Sequence, residues 1–196
     1  PRPKTLSAKV VRGIAPGIKD DALVGAVRFH DAQIDDARHT VAVARTAAAH
    51  GAAIATRTAV VSLIREDGRV VGAVIRDELT GREFETRARV VLGAAGVWTD
   101  DLLEMSGSSS QHAVRQSKGI HLVVPREAFP STSALIARTP TSVLFLLPWG
   151  RHWLIGTTDT DYTGSRSEPQ VDEADVDYLL AEANKWLARP LTRDDV

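Results

Sequence analysis

No cysteine occurs among the 196 residues, which excludes disulfides and thiol chemistry and leaves a cytosolic setting unopposed. An excess of one charge is missing too. Lys and Arg number 24 against 25 Asp and Glu, a formal net charge of −1, whereas a nucleic-acid surface wants a basic stripe. No apolar run approaches the ~20 residues that span a bilayer, and no signal peptide is visible. The six histidines lack zinc-type spacing. Neither a P-loop, a Gly-x-Ser-x-Gly nor a Gly-x-Gly-x-x-Gly motif is present. Asp159, Asp161 and Gly164 imitate part of a calcium loop, but Thr163 and Gln170 stand where the loop wants Asp or Asn and a closing Glu, so no metal is expected. The lone methionine is Met105, the chain opens on Pro1, and residues 191–196 carry no terminal signal; this reads as a cut fragment. What remains is ordinary for a globular chain, 43% hydrophobic and 25% charged residues, long enough for one or two small domains with a core.

The stretch that organises the chain is residues 90–103, VVLGAAGVWTDDLL. The run Val90-Val91-Leu92 reads as the last strand, 89–93, ending at Gly93-Ala94-Ala95-Gly96, where small residues let the backbone approach something flat or charged. Thr99-Asp100-Asp101 read as a capped helix start with acidic residues at the positive end of the dipole. Strand, small residues and helix N-terminus form the layout of a nucleotide-phosphate site. A tight buried turn with Trp98 as core filler is the alternative.

In chain order, residues 6–12 read as a short helix capped by Ser7 and stopped by Gly13 and Pro16. Residues 25–30 read as a half-buried strand with Val27 and Phe29 on one face. Residues 35–50 form a helix, with Asp35 and Asp36 in its first turn, Val41, Ala44 and Ala48 on one face, and His50-Gly51 as its stop. Short strands are expected at 52–56, 59–65, 70–77 and 83–87, with Asp67-Gly68 and Thr80-Gly81 as hairpin turns. Residues 106–113 read as a polar linker. Strand-like segments at 114–125, 133–138, 142–148 and 152–158 favour an antiparallel sheet, which residues 25–30 rejoin. A helix over 171–188, acidic in front and with Val176, Leu179, Leu180, Ala183 and Leu187 on one face, ends before Pro190.

His121 is the residue suited to acid–base work near neutral pH. Lys118 lies three residues before it, an odd spacing that puts the two on opposite faces of a strand; a bulge at Gly119 would reunite them. A half-buried histidine bonded to a backbone carbonyl is the plain alternative. Gly156-Thr157-Thr158-Asp159 closes a hydrophobic strand and reads equally as a turn whose polar side chains satisfy local backbone. Arg28, Arg38, Arg115 and Arg151 are candidates for an anionic substrate group by type alone.

Residues 117–125, SKGIHLVVP, followed by Leu147-Pro148-Trp149 and 155–159, IGTTD, resemble the flavin-dependent glycerol-3-phosphate dehydrogenases, as does 31–38, DAQIDDAR. The blocks fall in the right order over most of the chain. The resemblance implies the central part of such an enzyme, without the N-terminal Gly-x-Gly-x-x-Gly segment and the C-terminal part, and therefore inactive alone. It implies FAD contacts at Val60, Gly93, Ala94, Ala95, Gly96 and Trp98. It places His121, with Lys118, beside the substrate, and Thr158 and Asp159 in the substrate domain. The family usually has Asn at Gly93 and Pro at Val97.

The expected fold is mixed α/β (α+β): a partial, Rossmann-like FAD-binding domain with a β-meander plus an antiparallel substrate-domain sheet. The boundaries are 1–30 (lead-in and a strand of the substrate domain), 31–105 (FAD half), 106–113 (linker) and 114–196 (substrate domain with its helix). By resemblance the whole enzyme oxidises sn-glycerol 3-phosphate to dihydroxyacetone phosphate and passes electrons from FAD to a quinone. The resemblance implies a cytoplasmic location, peripheral on the cytoplasmic face of the membrane. Self-association is open. An amine or amino-acid oxidase and a non-enzymatic binding module are the rival readings.

Overall fold

A computed structural model describes residues 2–21, 23–108, 114–140 and 142–196. The chain divides into two compact units, one of Pro1–Asp31 with Arg115–Val196 and one of Ala32–Val114. The fold is mixed α/β, as expected, with antiparallel sheets in both units.

In the first unit, β7 (His121–Pro125), β8 (Leu135–Arg138), β9 (Val143–Trp149) and β10 (His152–Gly156) form a four-stranded antiparallel sheet in the order β7-β10-β9-β8. Alternation decides its faces. Leu122, Val124, Leu144, Leu146, Trp153 and Ile155 point to one side and are almost wholly buried. There they join Val11 of α1 (Ala8–Ile14) and Leu179, Leu180 and Ala183 of α4 (Glu173–Asn184) in one core. Phe129 stands edge-on to Trp153 with ring centroids 5.1 Å apart. Helix α4 starts on a capping box, in which Asp172 accepts the N–H of Asp175 at 2.9 Å and Asp175 accepts that of Asp172. It is shorter than 171–188; Leu187 is buried beyond its end.

Two short strands, β6 (Ser117–Lys118) and β11 (Thr160–Asp161), pair beside this sheet. The segment 25–30 does not rejoin the large sheet. Instead β2 (Gly25–Arg28) pairs with β1 (Lys4–Ser7), so Leu6 and Ser7 belong to a strand and Ser7 makes no side-chain cap for α1. Val27 and Phe29 are exposed.

In the second unit, α2 (Asp36–Ala49) is capped by Asp35, which accepts the N–H of Arg38 at 3.0 Å. Its expected apolar face is not covered: no residue of α2 is buried. Strands β3 (Thr58–Glu66), β4 (Arg69–Asp77) and β5 (Glu83–Arg87) form the meander. Asp67 and Gly68, at φ 48° and 78°, supply the two-residue turn between β3 and β4. The expected strands at 52–56 and 89–93 do not form. An apolar run becomes a strand only with a ladder partner, and this ladder ends where Ala88 donates to the Val71 carbonyl. Val90 and Leu92 are 71% and 88% exposed. Helix α3 (Thr99–Met105) follows a turn of 3-10 helix, Gly96–Trp98. Thr99 is its first residue rather than its cap, and the Thr99 hydroxyl donates back to the Gly96 carbonyl. Of the expected linker, 109–113 lie outside the described residues. No helix among the described residues is long and apolar enough to cross a membrane.

Candidate functional site

The expected site residues fall in both units. In the first unit, residues 117–125 alternate without a break: odd positions face outward and even positions are buried. Lys118 is therefore interior, 8% exposed, and His121 is exposed on the other face. The anticipated reunion at Gly119 does not occur. Lys118 pairs with Thr160, and His121 with Gly156. Two residues, Gly119 and Ile120, thus stand against three, Thr157, Thr158 and Asp159. The extra residue of the bulge is on the opposite strand, so the side-chain alternation of 117–125 is undisturbed.

His121 sits on the open face of the large sheet. Its cross-strand neighbour is Gly156, whose other neighbour is Phe145 and then Ile136. The imidazole lies against the Gly156 backbone, since a Cβ there would come within 2.5 Å of the ring's Cδ2. Val123, Leu154 and Leu147 form the adjacent row. This arrangement offers a titratable ring on an apolar, partly solvated sheet face.

Lys118 has a different environment. Its Nζ donates to Asp175 at 2.6 Å, to Asp172 at 2.8 Å and to the Gln170 carbonyl at 3.1 Å. The Tyr162 ring is 5.6 Å away. The hydrogen bonds to Asp172 and then Asp175 hold the ammonium above its ordinary pKa. Lys118 and the N–H of Asp175 hold the Asp172 carboxyl below its own. Lys118 is thus a fixed cation that ties the start of α4 to β6, and its chemistry is electrostatic and positional.

Thr158, 2% exposed, is brought against Lys118: its hydroxyl accepts the Ile120 N–H at 3.0 Å and donates to the Lys118 carbonyl at 3.3 Å. Asp159 lines a cleft of about 480 Å³ together with Lys118, Thr158, Tyr162 and Tyr178. Arg115 is committed to Asp161 at 2.6 Å. Among the described residues no cluster of three or more His, Asp or Glu could hold a metal.

In the second unit, Val60 stands on β3, 43% exposed, next to a bulge at Val61. Gly93 has a packing reason for being glycine, because a Cβ would meet Leu102 Cδ2 at 2.6 Å. The backbone beyond it is open. Ala94 is exposed, and Gly96, at φ +56°, has no atom within 4 Å of where a Cβ would be. Trp98 is 45% exposed. Small residues and an uncovered backbone beside an indole fit a large planar cofactor.

Gly156, Asp172 and Asp175 were not legible as site residues. The acidic front of the expected 171–188 helix marks only a helix start, and it names no partner for Lys118.

Residues 1–196 match the DAO family, described as FAD dependent oxidoreductase. The glycerol-3-phosphate dehydrogenase of Mycobacterium leprae (strain TN) is 46% identical over 196 residues, covering 100% of this chain and 34% of that protein. The chain thus spans about a third of the length of the curated relatives it matches. The crystal structure of the Bacillus halodurans glycerol-3-phosphate dehydrogenase complexed with FAD superposes with a TM-score of 0.87 at 33% identity, covering 100% of this chain and 42% of that one. Glycine oxidase from Bacillus cereus, at 22% identity and a TM-score of 0.74 over 94% of this chain and 48% of the other, shares the fold.

Proposed function

Because the chain belongs to the DAO family of FAD-dependent oxidoreductases, we propose that, within a protein of its relatives' length, it serves the oxidation of sn-glycerol 3-phosphate to dihydroxyacetone phosphate. The observation that carries this reading is His121, exposed on the apolar sheet face and seated against Gly156, in a chain 46% identical to a glycerol-3-phosphate dehydrogenase. Val60 and the backbone of Gly93–Gly96 beside Trp98 would hold FAD, which when bound would supply the two-electron acceptor. His121 takes the proton of the substrate's C2 hydroxyl, a task suited to an imidazole near neutral pH. Lys118 and Thr158 brace the backbone that leads into the strand from which His121 projects, and Asp159 lines the adjoining cleft. The electrons pass on to a quinone at the cytoplasmic membrane face; resemblance to the family supports that part of the reading.

The test is anaerobic addition of sn-glycerol 3-phosphate to the full-length protein while flavin absorbance is followed. Bleaching is the expected result. A bound flavin that stays oxidised rejects the substrate, and a protein without flavin rejects the cofactor site. His121→Ala is expected to lower kcat by about 10²-fold or more, the size of a general base's contribution; unchanged turnover removes His121 from the reaction.

A further inference from the structure

The position of His121 depends on backbone immediately before it that the sheet does not hold. The ladder of β6 with β11 ends at the Lys118–Thr160 pair, and that of β7 with β10 begins at His121–Gly156. In the bulge between them the Ile120 N–H points not to a strand carbonyl but to the Thr158 hydroxyl at 3.0 Å. The same hydroxyl donates to the Lys118 carbonyl at 3.3 Å. Thr158 is 2% exposed, so water is not at hand to replace either bond. Gly119 packs close as well: a Cβ there would come within 2.5 Å of Thr157 Oγ1 and 3.1 Å of the Thr158 carbonyl. The backbone of 118–120 is therefore clasped from one side by 157–158, and the Thr158 hydroxyl makes the bonds that the bulge takes away.

We propose that Thr158 is a positioning residue for His121: its buried hydroxyl fixes the Ile120 peptide and so the direction in which the His121 ring leaves the strand. This rests on the reading of His121 as proton acceptor. A base must sit within hydrogen-bond reach of the proton it removes, and a displacement of about 1 Å costs as much as about 10²-fold in rate. Valine keeps the shape of threonine and loses the hydroxyl, whereas serine keeps the hydroxyl.

The experiment compares Thr158→Val, Thr158→Ser and His121→Ala in the flavin-loaded, full-length enzyme, with kcat, KM, flavin content and melting temperature measured for each. Thr158→Val is expected to lower kcat about 10- to 100-fold with KM and flavin content close to wild type. Thr158→Ser is expected to restore most of the lost kcat. If Thr158→Val turns over like wild type while His121→Ala does not, the positioning role is overturned and the proton-acceptor reading stands. Serine as damaging as valine, or a kcat loss that follows flavin loss, also overturns it. A fully active His121→Ala overturns both. Should Thr158→Val not fold, Thr158→Ala takes its place with the same outcomes.

Discussion

Lys118 is a buried cation whose charge is matched by carboxylates on a helix 54 and 57 residues further along the chain. Its energetics have a definite sign with pH. Asp172 has a lowered folded pKa, so its contribution is complete above the ordinary aspartate value of about 4 and is lost as pH falls through the folded value. Lys118 has a raised one, so its contribution is complete below about 10.4 and is lost as pH rises through the folded value. Urea midpoints taken across pH should show both limbs. Lys118→Met should lower the midpoint at pH 7, because it strands Asp175 without its cation. It should also make the acid limb shallower, since Asp172 loses the main cause of its shift. An acid limb identical to wild type contradicts the assignment. At this scale the sequence disclosed residue types but few partnerships. That Lys118 and His121 oppose each other follows from strand parity, a local rule. That Asp172 and Asp175 close on Lys118 depends on how α4 docks, and nothing within a few residues of Lys118 announces it.

Among the elements, those read correctly carry their own signals: the acidic start of α2, Asp67-Gly68 turning β3 into β4, and an acidic first turn on α4. Those misread need a partner elsewhere. Residues 90–92 have strand composition and no ladder, and β2 pairs with β1 rather than with the large sheet. Strand β4 provides a test of the central position in the meander. A Cβ on Gly72 would fall 2.2 Å from the Thr86 carbonyl oxygen and 3.0 Å from Arg87 Cα, so the backbone of β5 has to move. Gly72→Ala should destabilise the second unit by about 1–3 kcal/mol, as overpacking does. Circular dichroism against urea is the measurement, and a neutral substitution would mean that β5 is free to give way.

At the scale of the whole molecule, membership of an oxidoreductase family over residues 1–196 leaves the non-enzymatic reading without support. The sequence blocks that suggested glycerol-3-phosphate dehydrogenases lie at conspicuous places: 117–125 spans the Lys118–His121 switch of faces, and 155–159 contains the bulge that Thr158 bridges. The hydrophobic cluster, by contrast, is unevenly shared. All of its residues belong to the first unit. Among the described residues of the second, only Gly72 and Ala73 are buried.

That imbalance sets how the chain meets deuterium. Amides under a packed core open to exchange only through large excursions, whereas amides whose hydrogen bonds face solvent open by local fluctuation. In the isolated chain, uptake should come in two well-separated populations. The slow one belongs to β7, β9, β10 and α4, and the fast one to α2 and most of the meander. A protein of its relatives' length with flavin bound should move α2 and the backbone around Ala94–Gly96 from the second population toward the first, and the size of that migration is a readout of the cofactor that requires no turnover.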